Sequence, residues 1–202
     1  VLLPLLLACS FASPTTPNIA ELNELLDSLR ETHAPDSRIE LWDVQVHAAQ
    51  GTLQVRGNLS SQKTFDAVQQ ALEKQYPEVV NQLVLLPKKE TGTIVNALVI
   101  HLRREPSSTK ELVTQALLGT PVRILKTERG KSLIQVPDGY IGWVNTAEVQ
   151  RVNQQELTAY KESEKVIYTV QAGRSYSDPD VESLPVSDLV IGNIVCKVSQ
   201  QA

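Results

Sequence analysis

The eight residues Pro137-Asp138-Gly139-Tyr140-Ile141-Gly142-Trp143-Val144 predict a tight turn followed by a short strand. Pro and Asp before a Gly are typical turn residues, because proline fixes φ and aspartate bonds to the local backbone. Gly139 and Gly142 bring the backbone freedom that a sharp turn needs. We expect the Trp143 ring to be buried at one end of a small core. The stretch therefore indicates a compact β-domain.

Short apolar segments around this turn are separated by clusters of turn residues. The predicted strands are residues 94–102, 121–125, 133–136 and 141–144. Several short strands with frequent turns are typical of a small β-barrel, which we predict over residues 93–152. This region carries eight basic and five acidic side chains, whereas the whole chain has 19 and 23.

Three segments of the second half of the chain resemble a known family. The apolar residues 95–102 lead into Arg103-Arg104-Glu105-Pro106-Ser107-Ser108, as at the opening of bacterial SH3-like domains. The later segments are Glu111-Leu112-Val113-Thr114-Gln115-Ala116-Leu117-Leu118-Gly119-Thr120-Pro121-Val122 and Ser187-Asp188-Leu189-Val190-Ile191-Gly192-Asn193-Ile194. Together they resemble the N-terminal part of NlpC-type cysteine peptidases, specifically gamma-D-glutamyl-L-diamino-acid endopeptidases, which carry two SH3-like domains ahead of a catalytic domain.

The resemblance implies an all-β organisation for the second half of the chain. Residues 93–152 would be the first SH3-like barrel, and residues 153–165 a polar helical linker. Residues 166–202 would begin a second barrel whose strands are too few to close it. Because folded proteins avoid unpaired sheet edges, we expect this second barrel to be truncated.

The first half of the chain predicts a small α+β domain over residues 16–92. A helix is expected from Thr16-Pro17, with Thr16 as its cap and Leu22, Leu26 and Leu29 on its apolar face. Strands at 38–48 and 53–59, a helix opened by Ser60-Ser61 and a strand at 79–86 follow. This order of helix, strand, strand, helix, strand resembles the BON-type domains of bacterial envelope proteins.

Residues 1–15 are expected to be a signal or lipoprotein segment with a tether. The apolar run before Cys9 is too short to span a bilayer, and Leu6-Leu7-Ala8-Cys9 resembles a bacterial lipoprotein signal. Cys9 would then be lipidated, which would attach the protein to a membrane of the cell envelope. A plain secretory signal cleaved near Ala12-Ser13 and a buried apolar start are the alternatives.

The resemblance also implies a substrate-binding pair in the first barrel. In the family, an acidic side chain near the Arg-x-x-Pro loop and a tyrosine of the Asp-Gly-Tyr turn bind the free amino end of a peptide. The matching residues are Glu105 and Tyr140, with Glu111 as the second candidate for the carboxylate. A carboxylate can pair with the ammonium, and a phenol can both hydrogen-bond and wall off the subsite.

Catalytic residues are not expected within this sequence. The family's chemistry needs a Cys nucleophile and a His base, but His33, His47 and His101 fall in different elements and none is near Cys196. We expect Cys196 to act as a small hydrophobic residue. Two cysteines and scattered histidines support no metal site, and no cofactor motif is present. Nine aromatic residues and a net charge of −4 argue against a nucleic-acid partner.

The sequence thus predicts the non-catalytic, substrate-selecting half of a cell-wall peptide endopeptidase. The complete enzyme would cleave the gamma-D-glutamyl-diamino acid bond of free peptidoglycan stem peptides. The alternative is a non-enzymatic, lipid-anchored envelope adaptor whose SH3-like module binds cell-wall peptide or a protein partner. A third possibility assigns the function to the α+β domain, with the barrels as spacers.

Overall fold

The computed structural model describes residues 18–49, 51–87 and 92–198. The helices are α1 (Ile19–His33), α2 (Gln62–Gln75) and α3 (Gln154–Glu162). The strands are β1 (Trp42–Ala49), β2 (Thr52–Leu59), β3 (Val80–Leu85), β4 (Gly92–Val95), β5 (Val99–Arg103), β6 (Leu112–Leu117), β7 (Arg123–Glu128), β8 (Lys131–Gln135), β9 (Ile141–Asn145), β10 (Val149–Val152), β11 (Lys165–Ile167), β12 (Ala172–Tyr176), β13 (Pro185–Val190) and β14 (Ile194–Cys196). In these described ranges, no helix combines the length and apolarity required to cross a bilayer.

The N-terminal unit is a three-stranded sheet with helices α1 and α2. Strand order is β1-β2-β3, with β1 antiparallel and β3 parallel to β2. Helix α2 supplies the crossover that a parallel pair of strands requires. Side chains of both helices and the sheet meet in one core. Its buried members are Leu22, Leu26, Val55, Leu59, Val68, Leu72 and Val79.

The helix starts depend on side-chain caps. The structure begins α1 after Asn18, whose Oδ1 accepts the N–H of Ala20 at 3.1 Å, so the prediction of Thr16 as the cap is wrong. A helix's first N–H groups lack intrahelical partners, and an Asn oxygen placed next to them satisfies one. Helix α2 begins where predicted, with the Ser61 Oγ accepting the N–H of Thr64 at 3.3 Å.

The first strand starts four residues later than predicted. Residues 37–40 form a turn, and β1 begins at Trp42. The turn forms because the Asp36 Oδ1 accepts the N–H of Arg38 at 2.9 Å, while the Asp36 carbonyl accepts the N–H of Ile39 at 3.2 Å. An aspartate bonded to its own backbone two residues on favours a turn over a strand.

The central domain is built from two sheets. Strands β5 to β9 form a five-stranded antiparallel sheet in the order β6-β5-β9-β8-β7, and β4 pairs with β10 in a separate ribbon. A single bridge between Ile94 and Pro121 joins the ribbon to the region before β7. The backbone pairing therefore defines two separate sheets. It does not show the closed barrel that the sequence predicts. The buried core consists of Val95, Ile100, Leu102, Ala116, Val122, Ile124, Ile134, Val136, Val144 and Val149.

One predicted strand is divided, and two strands were not predicted. The expected strand at 94–102 is divided into β4, which pairs with β10, and β5, which pairs with β6 and β9. Strands β6 and β10 each contain one buried residue, Ala116 and Val149 respectively. The sequences Leu-Val-Thr-Gln-Ala-Leu of β6 and Val-Gln-Arg-Val of β10 do not alternate apolar and polar residues, so neither has the period of two that indicates a strand.

The turn at residues 137–140 has the geometry that its glycines permit. Gly139 has a φ of +95°, in the left-handed region that favours glycine. Gly142 instead allows a close approach, since a Cβ there would lie 2.7 Å from the Leu102 Cβ. The prediction for Trp143 is wrong, because its half-buried ring packs outside the central core, against a separate cluster.

That separate cluster joins the N-terminal unit to the central domain. Its buried members are Leu86 from the first unit and Leu125, Leu133 and Ile141 from the second. Each such aliphatic side chain stabilises the folded state by about 1.5–3 kcal/mol when fully buried. Main-chain bonds align the two units, since the N–H of Ile141 donates to the Arg38 carbonyl at 2.6 Å.

The C-terminal segment contains two short ribbons rather than a sheet continuous with the central domain. Strand β11 pairs with β14, and β12 pairs with β13. The segment is anchored by Asn193, whose fully buried Nδ2 donates to the Leu98 carbonyl at 2.9 Å, and by the N–H of Ile194, which donates to the Leu118 carbonyl at 3.0 Å. Many apolar side chains of this segment remain exposed. They include Val166, Ile167, Val170, Val181, Leu184, Val186, Ile191 and Val198.

Substitution Asn193→Ala is expected to loosen the C-terminal segment. It removes one of the two bonds to the Leu98 carbonyl, which still accepts the N–H of Leu118 at 3.1 Å. It also removes the Asn193 Oδ1 that accepts the N–H of Val190 at 2.9 Å. Leaving buried polar groups unpaired costs about 1–3 kcal/mol. Hydrogen exchange of the Ile194 amide should therefore accelerate about tenfold or more. The matched control Ser187→Ala, at an exposed position, should not change it, and equal exchange in both variants would contradict the anchor.

Candidate functional site

Tyr140 lies at the turn between β8 and β9, where the two units meet. Its ring is half-buried and packs against the central core. Its N–H donates to the Asp138 Oδ1 at 3.2 Å, which fixes the turn. The guanidinium carbon of Arg38 lies 5.9 Å from the centre of the ring, within the range of a cation–π contact. The turn thus presents Tyr140 beside a cation of the N-terminal unit.

Arg38 is held in place by its own carboxylate. Its Nε and Nη2 donate to the Asp36 oxygens at 3.0 and 2.7 Å. The side-chain hydrogen bond with Arg38, followed by the backbone one, lowers the pKa of Asp36 from 3.8 to about 2. The same hydrogen bond raises the pKa of Arg38, with smaller contributions from the Asp36 charge, Tyr140 and Glu111.

Glu105 lies on the exposed loop after β5, and its carboxylate pairs with the Lys110 Nζ at 3.1 Å. Among the described residues, no hydrogen bond or ion pair joins Glu105 to Tyr140. The strand register nevertheless places both at one end of the sheet, because Arg103 faces Trp143 in the antiparallel pair β5–β9. The structure therefore brings them to the same edge without bringing them into contact.

Glu111 interacts with the charged residues beside the Tyr140 turn more directly than Glu105 does. A carboxylate oxygen of Glu111 lies 4.0 Å from the Arg104 Nη1, and the Arg104 Nη2 donates to the Ser37 Oγ at 3.3 Å. Glu111 and Tyr140 both act on the charge of Arg38. The second carboxylate candidate thus belongs to a charged cluster that spans both units.

A groove of about 350 Å³ lies between the two units beside this cluster. Arg38, Arg104 and Lys126 contribute its cationic side chains, Asp43 its carboxylate and Trp143 its aromatic wall. The Lys126 Nζ lies 5.4 Å from the centre of the Trp143 ring. The part played by residues 36–38 was not predicted, because no local sequence pattern indicates a contact between segments so far apart in the chain.

The other reactive side chains are dispersed. His33 ends α1, His47 lies in β1 and His101 in β5, where its Nε2 is 3.0 Å from the Gln115 Nε2. Cys196 is exposed and 3.3 Å from the Ser163 Oγ, so the expectation of a buried hydrophobic role is wrong. In the described structure its strand, β14, pairs with β11 alone, so no second neighbouring strand covers the thiol.

Two further predictions concern sites that the structure does not bring into view. Cys9, the predicted lipidation site, lies outside the described residues. In the described part of the chain, no three His, Cys, Asp or Glu side chains lie together in an arrangement that could hold a metal ion.

Residues 102–149 match the family model described as the bacterial dipeptidyl-peptidase Sh3 domain. The match runs from β5 to the start of β10 and includes Glu105, Glu111 and Tyr140. The prediction of a bacterial SH3-like domain in the centre of the chain is therefore confirmed. No curated protein matches the chain.

Two solved structures show a distant likeness. An NlpC/P60 endopeptidase from Photobacterium damselae subsp. piscicida is 18% identical with a TM-score of 0.44, covering 90% of this chain and 38% of that one. NlpC2 from Trichomonas vaginalis is 10% identical with a TM-score of 0.29, covering 53% of this chain and 37% of that one. The chain thus spans well under half the length of either protein, and neither score is high enough to define its fold.

The Asp36–Arg38 pair predicts an unusual titration. The pKa of Asp36 should be about 2 in the folded protein, against an ordinary value of 3.8. Because the folded-state value is lowered, the pair's contribution to stability is complete above about pH 4 and is lost as the pH falls through about 2. In Arg38→Gln the pKa should return towards 3.8. Carboxyl NMR titration measures both values.

The control for this titration is Lys63→Gln, which removes an exposed charge of α2. It should leave the Asp36 titration unchanged. An Asp36 carboxyl that titrates near 3.8 in the unsubstituted protein would show that the pair does not form in solution.

Proposed function

We propose that the chain is the substrate-selecting, non-catalytic part of a cell-wall peptide endopeptidase. The complete enzyme hydrolyses the gamma-D-glutamyl-diamino acid bond of stem peptides already released from the glycan. The match of residues 102–149 to the bacterial dipeptidyl-peptidase Sh3 domain is the observation that carries this proposal. The cysteine nucleophile and histidine base belong, in this proposal, to a domain outside the 202 residues.

Selection rests on recognition of a free amino end. An ammonium group at the Tyr140 turn accepts a carboxylate as its ion-pair partner and donates a hydrogen bond to the phenol oxygen. Hydrogen bonds to charged groups contribute about 1.5–3 kcal/mol, which is enough to separate a free amine from an acylated one. The half-buried position of Tyr140 supports this role, because partial removal from water strengthens such a bond.

Glu105 is the first candidate for the carboxylate, and its ion pair does not oppose that role. Glu105 and Lys110 are both more than 40% exposed, and an exposed pair is worth at most about 1 kcal/mol. A ligand ammonium can therefore replace Lys110 at little cost. Glu111 is the second candidate, supported by its place among Arg38, Arg104 and Tyr140. Asp36 neutralises Arg38, which limits repulsion of an incoming ammonium.

Substitution of Tyr140 in the complete enzyme tests the proposal. The ratio of cleavage rates for a stem peptide with a free amine and its N-acetylated form should fall about tenfold in Tyr140→Ala. Tyr140→Phe isolates the hydroxyl and should lose most of the same ratio. The control Tyr176→Phe, in β12, should retain it. An unchanged ratio in Tyr140→Ala excludes the assignment.

The variants Glu105→Gln and Glu111→Gln, measured in the same assay, distinguish the two candidate carboxylates. The variant that lowers the ratio identifies the partner of the ammonium. If both retain the full ratio, neither carboxylate is the partner and the recognition model is wrong.

We further propose that the protein resides in the bacterial cell envelope, held by a lipid on Cys9. The intact mass of the protein from its native membrane fraction tests this together with the peptidase proposal. We expect a mass above that of residues 9–202, which remain after signal cleavage, by a lipid and by a domain of about 100–150 residues. A mass without the further domain would favour the envelope adaptor. A mass without the lipid would exclude modification of Cys9.

A further inference from the structure

A second, smaller pocket of about 150 Å³ lies on the central domain, away from the Tyr140 turn. The strands β5, β8 and β9 form its floor, and the loop at residues 106–108 forms one side. Arg103, Lys131 and Trp143 face it, together with the hydroxyl residues Ser107 and Ser108. Tyr140 is not among its lining residues. The pocket is therefore a separate feature of the domain.

The two cations of this pocket differ from the other basic residues near the site. Arg38, Arg104, Lys110 and Lys126 all pair with carboxylates. No ion pair involving Arg103 or Lys131 occurs within residues 18–49, 51–87 and 92–198, and both side chains are half-buried. Within these ranges neither charge has a carboxylate as its direct partner, and both side chains are partly removed from water.

Each of the two cations retains donors for a ligand. The Arg103 Nη1 donates to the Lys110 carbonyl at 2.9 Å, and the Lys131 Nζ donates to the Asn145 Oδ1 at 2.6 Å. These neutral acceptors orient the side chains without cancelling their charges. A guanidinium has five N–H donors and an ammonium has three, so each has donors beyond the one that holds it in place.

The only carboxylate lining the pocket in the described structure is Glu148, and Asn145 engages both of its oxygens. The Asn145 N–H donates to one oxygen at 3.0 Å and its Nδ2 to the other at 2.9 Å. Arg103, Lys131 and Glu148 together bring a formal charge of +1 to the lining. This matches one singly charged carboxylate better than a phosphate group, which carries −1.5 to −2 when it is a monoester at pH 7.

We propose that this pocket binds a peptide carboxylate between Arg103 and Lys131. Ser107 and Ser108 supply neutral hydroxyl donors, and the Trp143 ring forms an apolar wall for the aliphatic part of the peptide. The proposal goes beyond amine recognition at Tyr140, because it adds a subsite of opposite charge that Tyr140 does not line. Trp143 borders both this pocket and the groove beside the Tyr140 turn. A peptide with two charged ends would be read at two places.

NMR titration of the complete chain with acetyl-Ala-Ala bearing a free carboxylate tests the pocket. The acetyl group removes the free amine, so the Tyr140 recognition site cannot produce the effect. The indole N–H of Trp143 and the amides of Ser107 and Ser108 should shift in a saturable way. The indole of Trp42, the second tryptophan, packs in the N-terminal core and should stay unchanged.

Three comparisons decide the outcome. The amidated peptide, acetyl-Ala-Ala-NH₂, should give no saturable shift. Lys131→Gln and Arg103→Gln should each weaken binding about tenfold, because each removes a charged hydrogen bond. Lys63→Gln, on α2, should leave binding unchanged. Because Arg103 also holds the Lys110 carbonyl, Lys131→Gln is decisive if Arg103→Gln alters the folded spectrum.

Equal binding of the amidated peptide, or equal weakening by Lys63→Gln, would overturn the proposal. Tighter binding of inorganic phosphate than of the peptide would overturn the choice of a carboxylate. If Lys131→Gln loses carboxylate binding while the complete enzyme that carries it keeps its selectivity for free amines, the two subsites are independent. If Tyr140→Ala loses amine selectivity but still binds the carboxylate, the two subsites are likewise independent.

Discussion

Contact between the N-terminal unit and the central domain is the constraint on which the rest of the structure depends. Leu86 packs with Leu125, Leu133 and Ile141, while the Arg38 carbonyl accepts the N–H of Ile141 at 2.6 Å. Apolar burial supplies the attraction, and the main-chain bond fixes its alignment. The charged residues around the Tyr140 turn have a defined geometry because these contacts bring residues 36–38 beside it.

The elements that a local pattern encodes were predictable from the sequence. Helix α2 has an apolar period and a serine cap. Gly139 in the turn at residues 137–140 and Gly142 in β9 have distinct backbone roles. The central SH3-like domain was identified from motifs and confirmed by the family match. Strands β6 and β10 were not predicted because the apolar residues in their sequences do not alternate with polar ones.

Contacts between distant segments could not be predicted from local sequence patterns. Trp143 was expected to fill a core, but nothing in its own strand indicates that the ring faces the N-terminal unit instead. Asp36 and Arg38 likewise give no local sign that they reach Tyr140. The candidate site could therefore be predicted as residue types on one domain. Its charge balance, with Glu111 and Arg104 inside the cluster and Glu105 at its edge, needed the folded structure.

The anchor at Asn193 also has a mechanical meaning. Between the central domain and the C-terminal ribbons the covalent chain runs through β10 and α3, but Asn193 and Ile194 bond directly to the Leu98 and Leu118 carbonyls. The position of β13 and β14 beside the central domain is therefore fixed by these two cross-links as well as by the covalent path. A break in the chain within α3 would leave both strands held at the Leu98 and Leu118 carbonyls.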